Sequence, residues 1–212
     1  MGEHPVGEAS RFAVSAYQEN GDGSPTFRRR AVFLDRDGVI NRPLIRNGKP
    51  YPPACLDEFE ILPGVPDACE LLKNLGFLII VATNQPDVGR GTLPLVSVET
   101  IHAWLSKQLP IDAIFTCFHG GEAYRQTCDC RKPRPGMLLQ AASELRIDLV
   151  NSFMIGDRWR DVECALNAGC KAIFIDWGYQ ETLKRQPSYR VGNLLEAAKL
   201  IETLTLESHA RT

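Results

Sequence analysis

Long apolar runs are missing from this chain. No stretch approaches the roughly 20 residues needed to cross a bilayer, so no membrane-spanning role is expected. Residues 1–30 also lack the hydrophobic centre of a secretory leader, and only four apolar residues separate Arg28–Arg30 from Asp35, too few for a twin-arginine signal. A cytoplasmic protein is expected. Net charge is nearly absent as well, at −2 for 24 basic against 26 acidic residues. That balance gives no reason to expect nucleic acid or an anionic membrane as a partner, and no basic surface interleaved with aromatics argues for single-stranded nucleic acid. An even cysteine count is missing too. Seven cysteines in a reducing compartment are expected to be thiols or metal ligands, not a disulfide framework. The sequence contains no internal repeat and no sign of a second domain.

What is there is the composition of a soluble globular protein, 44% hydrophobic and 24% charged over 212 residues, enough for one compact domain. Residues 1–28, rich in Gly, Ser, Glu and Pro, read as a flexible extension preceding a single domain over 29–212. Ala31–Leu34 is apolar and runs into Asp35-Arg36-Asp37-Gly38, a buried strand ending in a polar turn. Arg42–Pro53 reads as a loop, and Val65–Leu75 as a helix stopped by Gly76. Phe77–Ala82 is a second apolar strand, ending on Thr83-Asn84-Gln85-Pro86. A helix over 95–108, a strand over 111–115, an irregular segment over 116–135 and a helix to Leu145 follow. Ser152–Ile155 is a fourth strand leading to Gly156-Asp157, then a helix over 159–168, a strand over 171–175 and a closing helix over 194–206. Continuously apolar strands alternating with helices predict an α/β fold: a doubly wound, Rossmann-like parallel sheet of at least five strands with helices on both faces. Ligands of such sheets sit beyond the carboxyl ends of the strands, where Asp35, Asp37, Thr83, Asn84 and Asp157 fall.

Taken singly, Asp35–Gly38 is also an ordinary Asp-Gly turn, and Asp157 a helix N-cap. The ordered set of Asp35-x-Asp37-Gly38, Thr83-Asn84, Lys132 and Gly156-Asp157 with Asp161 is far more specific. Over residues 31–175 it resembles the haloacid dehalogenase superfamily of phosphotransferases. The resemblance implies a phosphatase in which Asp35 is the nucleophile and Asp37 the general acid and then base. Asp35, Asp157 and the backbone carbonyl of Asp37 would hold Mg²⁺. Thr83, the amide of Asn84 and Lys132 would hold the phosphoryl oxygens. An acid two residues after the nucleophile resembles the phosphatases and mutases of that superfamily. Asp161 reads equally as a supporting contact of the site or as a residue of its helix's first turn.

A second signal is Cys117-Phe118-His119 followed by Cys128-Asp129-Cys130, whose ligand types and spacing suit a closed, structural Zn²⁺ site. Cys55, Cys69, Cys164 and Cys170 lack such spacing and read as core or near-surface residues. Joined to Arg131-Lys132-Pro133 and to the first two motifs, the cysteine loop is similar to the capless D-glycero-D-manno-heptose 1,7-bisphosphate 7-phosphatases and related histidinol-phosphatases. That likeness implies a phosphorylated sugar as substrate, with Arg131 on a second phosphate, Arg158 lining the pocket and the zinc loop forming a wall; a monomer is expected. Gln85 and Arg46 are further substrate-binding candidates. Two departures bear on anomer and sugar: a short His119–Cys128 loop, and Arg158-Trp159 where lysine is more usual. Histidinol phosphate, a nucleic-acid 3′-phosphate and a non-catalytic sugar-phosphate-binding module remain as alternatives.

Overall fold

The computed structural model describes residues 10–13, 29–46 and 49–209. Among the described residues nine strands occur in chain order: β1 Ser10–Ala13, β2 Ala31–Leu34, β3 Leu44–Arg46, β4 Lys49–Tyr51, β5 Leu78–Asn84, β6 Ala113–Cys117, β7 Phe153–Gly156, β8 Lys171–Ile175 and β9 Tyr189–Val191. The α-helices are α1 Val65–Asn74, α2 Pro86–Gly89, α3 Leu95–Gln108, α4 Gly136–Leu145, α5 Trp159–Ala168 and α6 Leu194–His209. Seven strands form one sheet in the order β1-β6-β5-β2-β7-β8-β9, in which β6 to β9 are all parallel and β1 is antiparallel to β6.

Strand β2 sits in the middle because its two faces are both apolar. Alternation of side chains about a strand sends Val32 and Leu34 to the layer formed with α1, α3 and α6, and Ala31 and Phe33 to the layer formed with α4 and α5. From β2 the chain builds outward through β5 and β6, then returns to add β7, β8 and β9 on the other side. The reversal occurs at β2, so the crevice of the sheet opens above the ends of β5, β2 and β7.

Three features differ from the sequence reading. Ser10–Ala13, within the segment expected to be a flexible extension, adds an edge strand; the rest of residues 1–28 lies outside the described residues. The Arg42–Pro53 loop contains a two-stranded antiparallel hairpin, β3 with β4, its pairing concealed by four prolines. Strand β9 is only half buried, so it has no apolar run to announce it.

Candidate active site and metal centres

The end of β2 is shaped by one glycine. Gly38 has φ of +90°, and a Cβ there would collide with the Asp157 carboxylate. Only glycine lets the turn after Asp35 approach β7 so closely. Across the sheet, Gly156 has the same function: a Cβ would overlap the side chain of Asp161. The two glycines allow Asp35, Asp157 and Asp161 to gather with carboxylate oxygens within 4.8 Å of one another.

Lys132 reaches this cluster from the segment before α4. Its Nζ lies 2.8 Å from Asp35 Oδ1 and 2.6 Å from Asp161 Oδ1, and it is 2% exposed. Burial opposes its charge, yet Asp161 and Asp35 together raise its pKa above the usual lysine range. One cation does not satisfy three carboxylates. Burial pushes the Asp35 pKa up to about 6 against the pull of Lys132, and burial, then Asp35 and Asp161, push that of Asp157 well above the ordinary carboxylate range. Asp157 Oδ1 is buried without a hydrogen-bond partner among the described residues. A set of hard oxygen donors with surplus negative charge and an orphaned oxygen fits a divalent cation such as Mg²⁺.

Asp161 has both of the roles left open by sequence. Its Oδ2 accepts from Arg158 N at 3.0 Å, closing the first turn of α5, while Oδ1 pairs with Lys132. Asn84, at the end of β5, exchanges two hydrogen bonds of 3.1 Å with the backbone of Lys132 and thereby positions the lysine. Thr83 is buried beneath the cavity, its hydroxyl accepting from Gln85 Nε2 at 3.1 Å. Gln85, expected at the substrate, is instead 1% exposed and donates Nε2 to Asp37 Oδ2 at 2.8 Å. It turns inward because the chain bends at Pro86 into α2 directly after it.

Asp37 is the most heavily held acid. Besides Gln85, Asn41 Nδ2 donates to its Oδ1 at 3.1 Å, and the guanidinium of Arg36 contacts both oxygens at 3.0 to 3.3 Å. Arg36 and its partner His102 were absent from the sequence reading. Arg36 stands between the motif acids, but nothing in the pattern showed that it folds back on Asp37; His102 looks like any residue of α3.

A cavity of about 260 Å³ opens over these groups. Asp35, Asp37, Asn84, Lys132, Asp157 and Asp161 lie at its base, Tyr51, Pro43 and Pro52 on one wall, and Arg90, Arg131, Arg158 and Arg160 around it. Burial lowers the Arg131 pKa, and nearby Arg160 and Arg90 lower it further. This concentration of guanidinium groups is what a second anion would relieve. Arg158 is half-occupied by Glu181, at 2.8 and 2.9 Å. Arg46 ends β3, and its side chain lies outside the described residues. Arg90 and Arg160 had no motif to distinguish them from surface charge.

The second cluster adjoins the cavity. Cys117, His119, Cys128 and Cys130 present ligand atoms within 4.8 Å of one another. Cys117 Sγ is 3.6 Å from Cys128 Sγ and 3.5 Å from His119 Nδ1, which is 3.3 Å from Cys130 Sγ. A tetrahedron with zinc–sulfur bonds of about 2.3 Å has edges of about 3.8 Å, so the cluster is near the size zinc requires. Burial raises the Cys128 pKa, and the contact with Cys117 and burial raise that of Cys130; a cation would supply the missing counter-charge. Arg131 Nη1 donates to His119 O at 3.0 Å, coupling this loop to the cavity wall. Cys69, Cys164 and Cys170 are buried elsewhere and Cys55 is exposed.

Sheet order and these acids define a HAD-like phosphatase, and residues 129–197 match the HAD-hydrolase-like family model. The D-glycero-beta-D-manno-heptose-1,7-bisphosphate 7-phosphatase of Escherichia coli K12 is 40% identical over 154 residues, covering 68% of this chain and 78% of that protein. The enzyme of the same name from Pasteurella multocida Pm70 is 35% identical over 187 residues, 83% of this chain and 98% of the relative. A crystal structure of D,D-heptose 1,7-bisphosphate phosphatase from B. bronchiseptica, complexed with magnesium and phosphate, superposes with a TM-score of 0.70 at 29% identity, covering 82% of this chain and 99% of that one. The chain belongs to the D-glycero-beta-D-manno-heptose-1,7-bisphosphate 7-phosphatase family. No helix among the described residues is long and apolar enough to cross a membrane.

Proposed function

We propose that the protein removes the 7-phosphate of D-glycero-D-manno-heptose 1,7-bisphosphate through an aspartyl-phosphate. The observation that carries this reading is one cavity with a nucleophile-bearing acidic base beside Lys132 and a ring of arginines around it. Asp35 Oδ1 is engaged by Lys132 and by Arg36 N, at 2.8 Å each, so attack on phosphorus falls to Oδ2. As the Asp35–phosphorus bond forms and the ester bond breaks, protonated Asp37 gives its proton to the departing sugar oxygen. Asp37, then a carboxylate, takes a proton from the water that attacks phosphorus and releases Asp35 and inorganic phosphate. Lys132 and Thr83 stabilise the phosphoryl charge.

Asp35, Asp157 and the Asp37 carbonyl would hold Mg²⁺, which when bound neutralises phosphoryl and carboxylate charge together. Zn²⁺ at Cys117, His119, Cys128 and Cys130 would fix the wall that carries Arg131. Arg131 and its neighbouring arginines would take the second phosphate. Within this reading the enzyme works as a monomer in the cytoplasm, whose reducing conditions keep the three cysteines available to a metal.

Both anomers of the heptose bisphosphate and histidinol phosphate should be assayed side by side for kcat/KM. A bisphosphate is expected to be preferred; preference for histidinol phosphate, which leaves the arginines without a second anion, overturns the substrate assignment.

A further inference from the structure

Resting on the reading of Asp37 as acid and base, we infer that Arg36 and His102 are positioning residues for it, forming a buried strut from helix α3 that aims the Asp37 carboxyl at the leaving oxygen. Arg36 is 0% exposed and is not among the residues that line the cavity. A fully buried guanidinium is expensive unless paired and hydrogen-bonded on every side. Here one edge grips Asp37 through Nη2, 3.1 Å from Oδ1 and 3.0 Å from Oδ2, and through Nε, 3.3 Å from Oδ1. The opposite nitrogen, Nη1, meets His102 Nε2 at 3.2 Å. The Phe59 ring lies 5.8 Å from the guanidinium carbon and stacks edge-on against Trp104 of the same helix as His102. The group is therefore clamped from three directions, with its anionic partner Asp37 at the cavity.

For Nη1 to donate, His102 must be neutral with its lone pair on Nε2. Burial, and then Arg36 itself, lower the histidine pKa well below its ordinary value, which keeps that form. Asn41 and Gln85 complete the cradle on the two oxygens. A carboxyl group needed first as donor and then as acceptor has to keep one orientation in both states. Fixed donors on both oxygens, with Arg36 braced against helix α3 through His102, provide that orientation.

The chemistry separates positioning from simple structural support. An alkoxide such as a sugar oxygen leaves only with a proton from Asp37, whereas 4-nitrophenolate leaves without one; both routes need Asp37 as base when water attacks the aspartyl-phosphate. The magnesium- and zinc-loaded enzyme should be compared with Arg36→Lys, His102→Leu and His102→Gln on a sugar phosphate and on 4-nitrophenyl phosphate, with melting temperature recorded for each. Arg36→Lys is expected to lose about 100-fold in sugar-phosphate kcat with little change in KM. On the aryl ester it should give a burst of about one nitrophenolate per enzyme, then slow turnover. His102→Leu should show a milder form of the same pattern, and His102→Gln, whose amide oxygen still accepts from Nη1, should recover. Equal losses on both esters without a burst, tracking a lowered melting temperature, overturn the inference, as does wild-type turnover in Arg36→Lys and His102→Leu. Asp37→Asn is the separate control: if it retains sugar-phosphate turnover, the acid–base reading itself fails.

Discussion

The two ligand clusters of this protein are built in opposite ways. The cysteine-histidine cluster takes its members from one stretch, Cys117 to Cys130, and closes by a loop returning to the end of β6. The carboxylate cluster draws on Asp35, Asp157 and Asp161, which meet only when β2 and β7 lie in parallel register. Both gather more anionic potential than the chain neutralises, with thiols raised in one and carboxylates in the other. In the carboxylate cluster Lys132 pairs directly with two of the acids. The difference shows how a fold serves two ends. A local cluster stiffens a loop, whereas one assembled across the sheet makes chemistry depend on the whole domain.

The strongest way to break the contrast is at Asp35, the proposed nucleophile. Asp35→Asn keeps the shape and removes the attacking charge, so phosphate release should fall by about 1,000-fold or more, with folding retained in circular dichroism. The cysteine loop should respond in stability first. Cys128→Ser is expected to release zinc, seen by metal analysis, and to lower the melting temperature by about 5 °C or more. Arg131→Ala probes the place where the two clusters meet: KM for a bisphosphate should rise by about 10- to 100-fold, with a monophosphate nearly unaffected. The smallest effect concerns His102. Its folded pKa is depressed, so it contributes stability above the unfolded value of about 6.5 that is lost as pH falls below it. Denaturant titrations from pH 7 to 5 should show wild type losing up to about 1.4 kcal/mol per pH unit more than His102→Gln.

Much of the site was legible because Asp35, Thr83, Lys132 and Asp157 stand at strand ends or near helix starts, and strand ends announce themselves where apolar runs stop. The supporting residues were not. Gln85 donates to Asp37, and Asn84 holds Lys132 through its backbone. Side-chain direction after a strand depends on the turn that follows, which here is made by Pro86 and α2. Arg90 and Arg160 resemble any exposed arginine until the cavity brings them beside Arg131. The edge strand Ser10–Ala13 needed β6 as its partner before it could be recognised.

The sequence by itself determined the alternation of strands and helices, the acids and lysine of a HAD-like phosphatase and the ligand types of the cysteine loop, since these depend on local patterning and on chemistry intrinsic to side chains. Tertiary structure alone decided that Lys132 bridges Asp35 and Asp161, that Arg36 turns away from solvent to hold Asp37 against His102, and that four arginines share one cavity. The turn after β2 joins the two levels. Its Asp-Gly chemistry is written in four residues, but the reason position 38 must be glycine is the carboxylate of Asp157, which only the packing of β2 against β7 brings there.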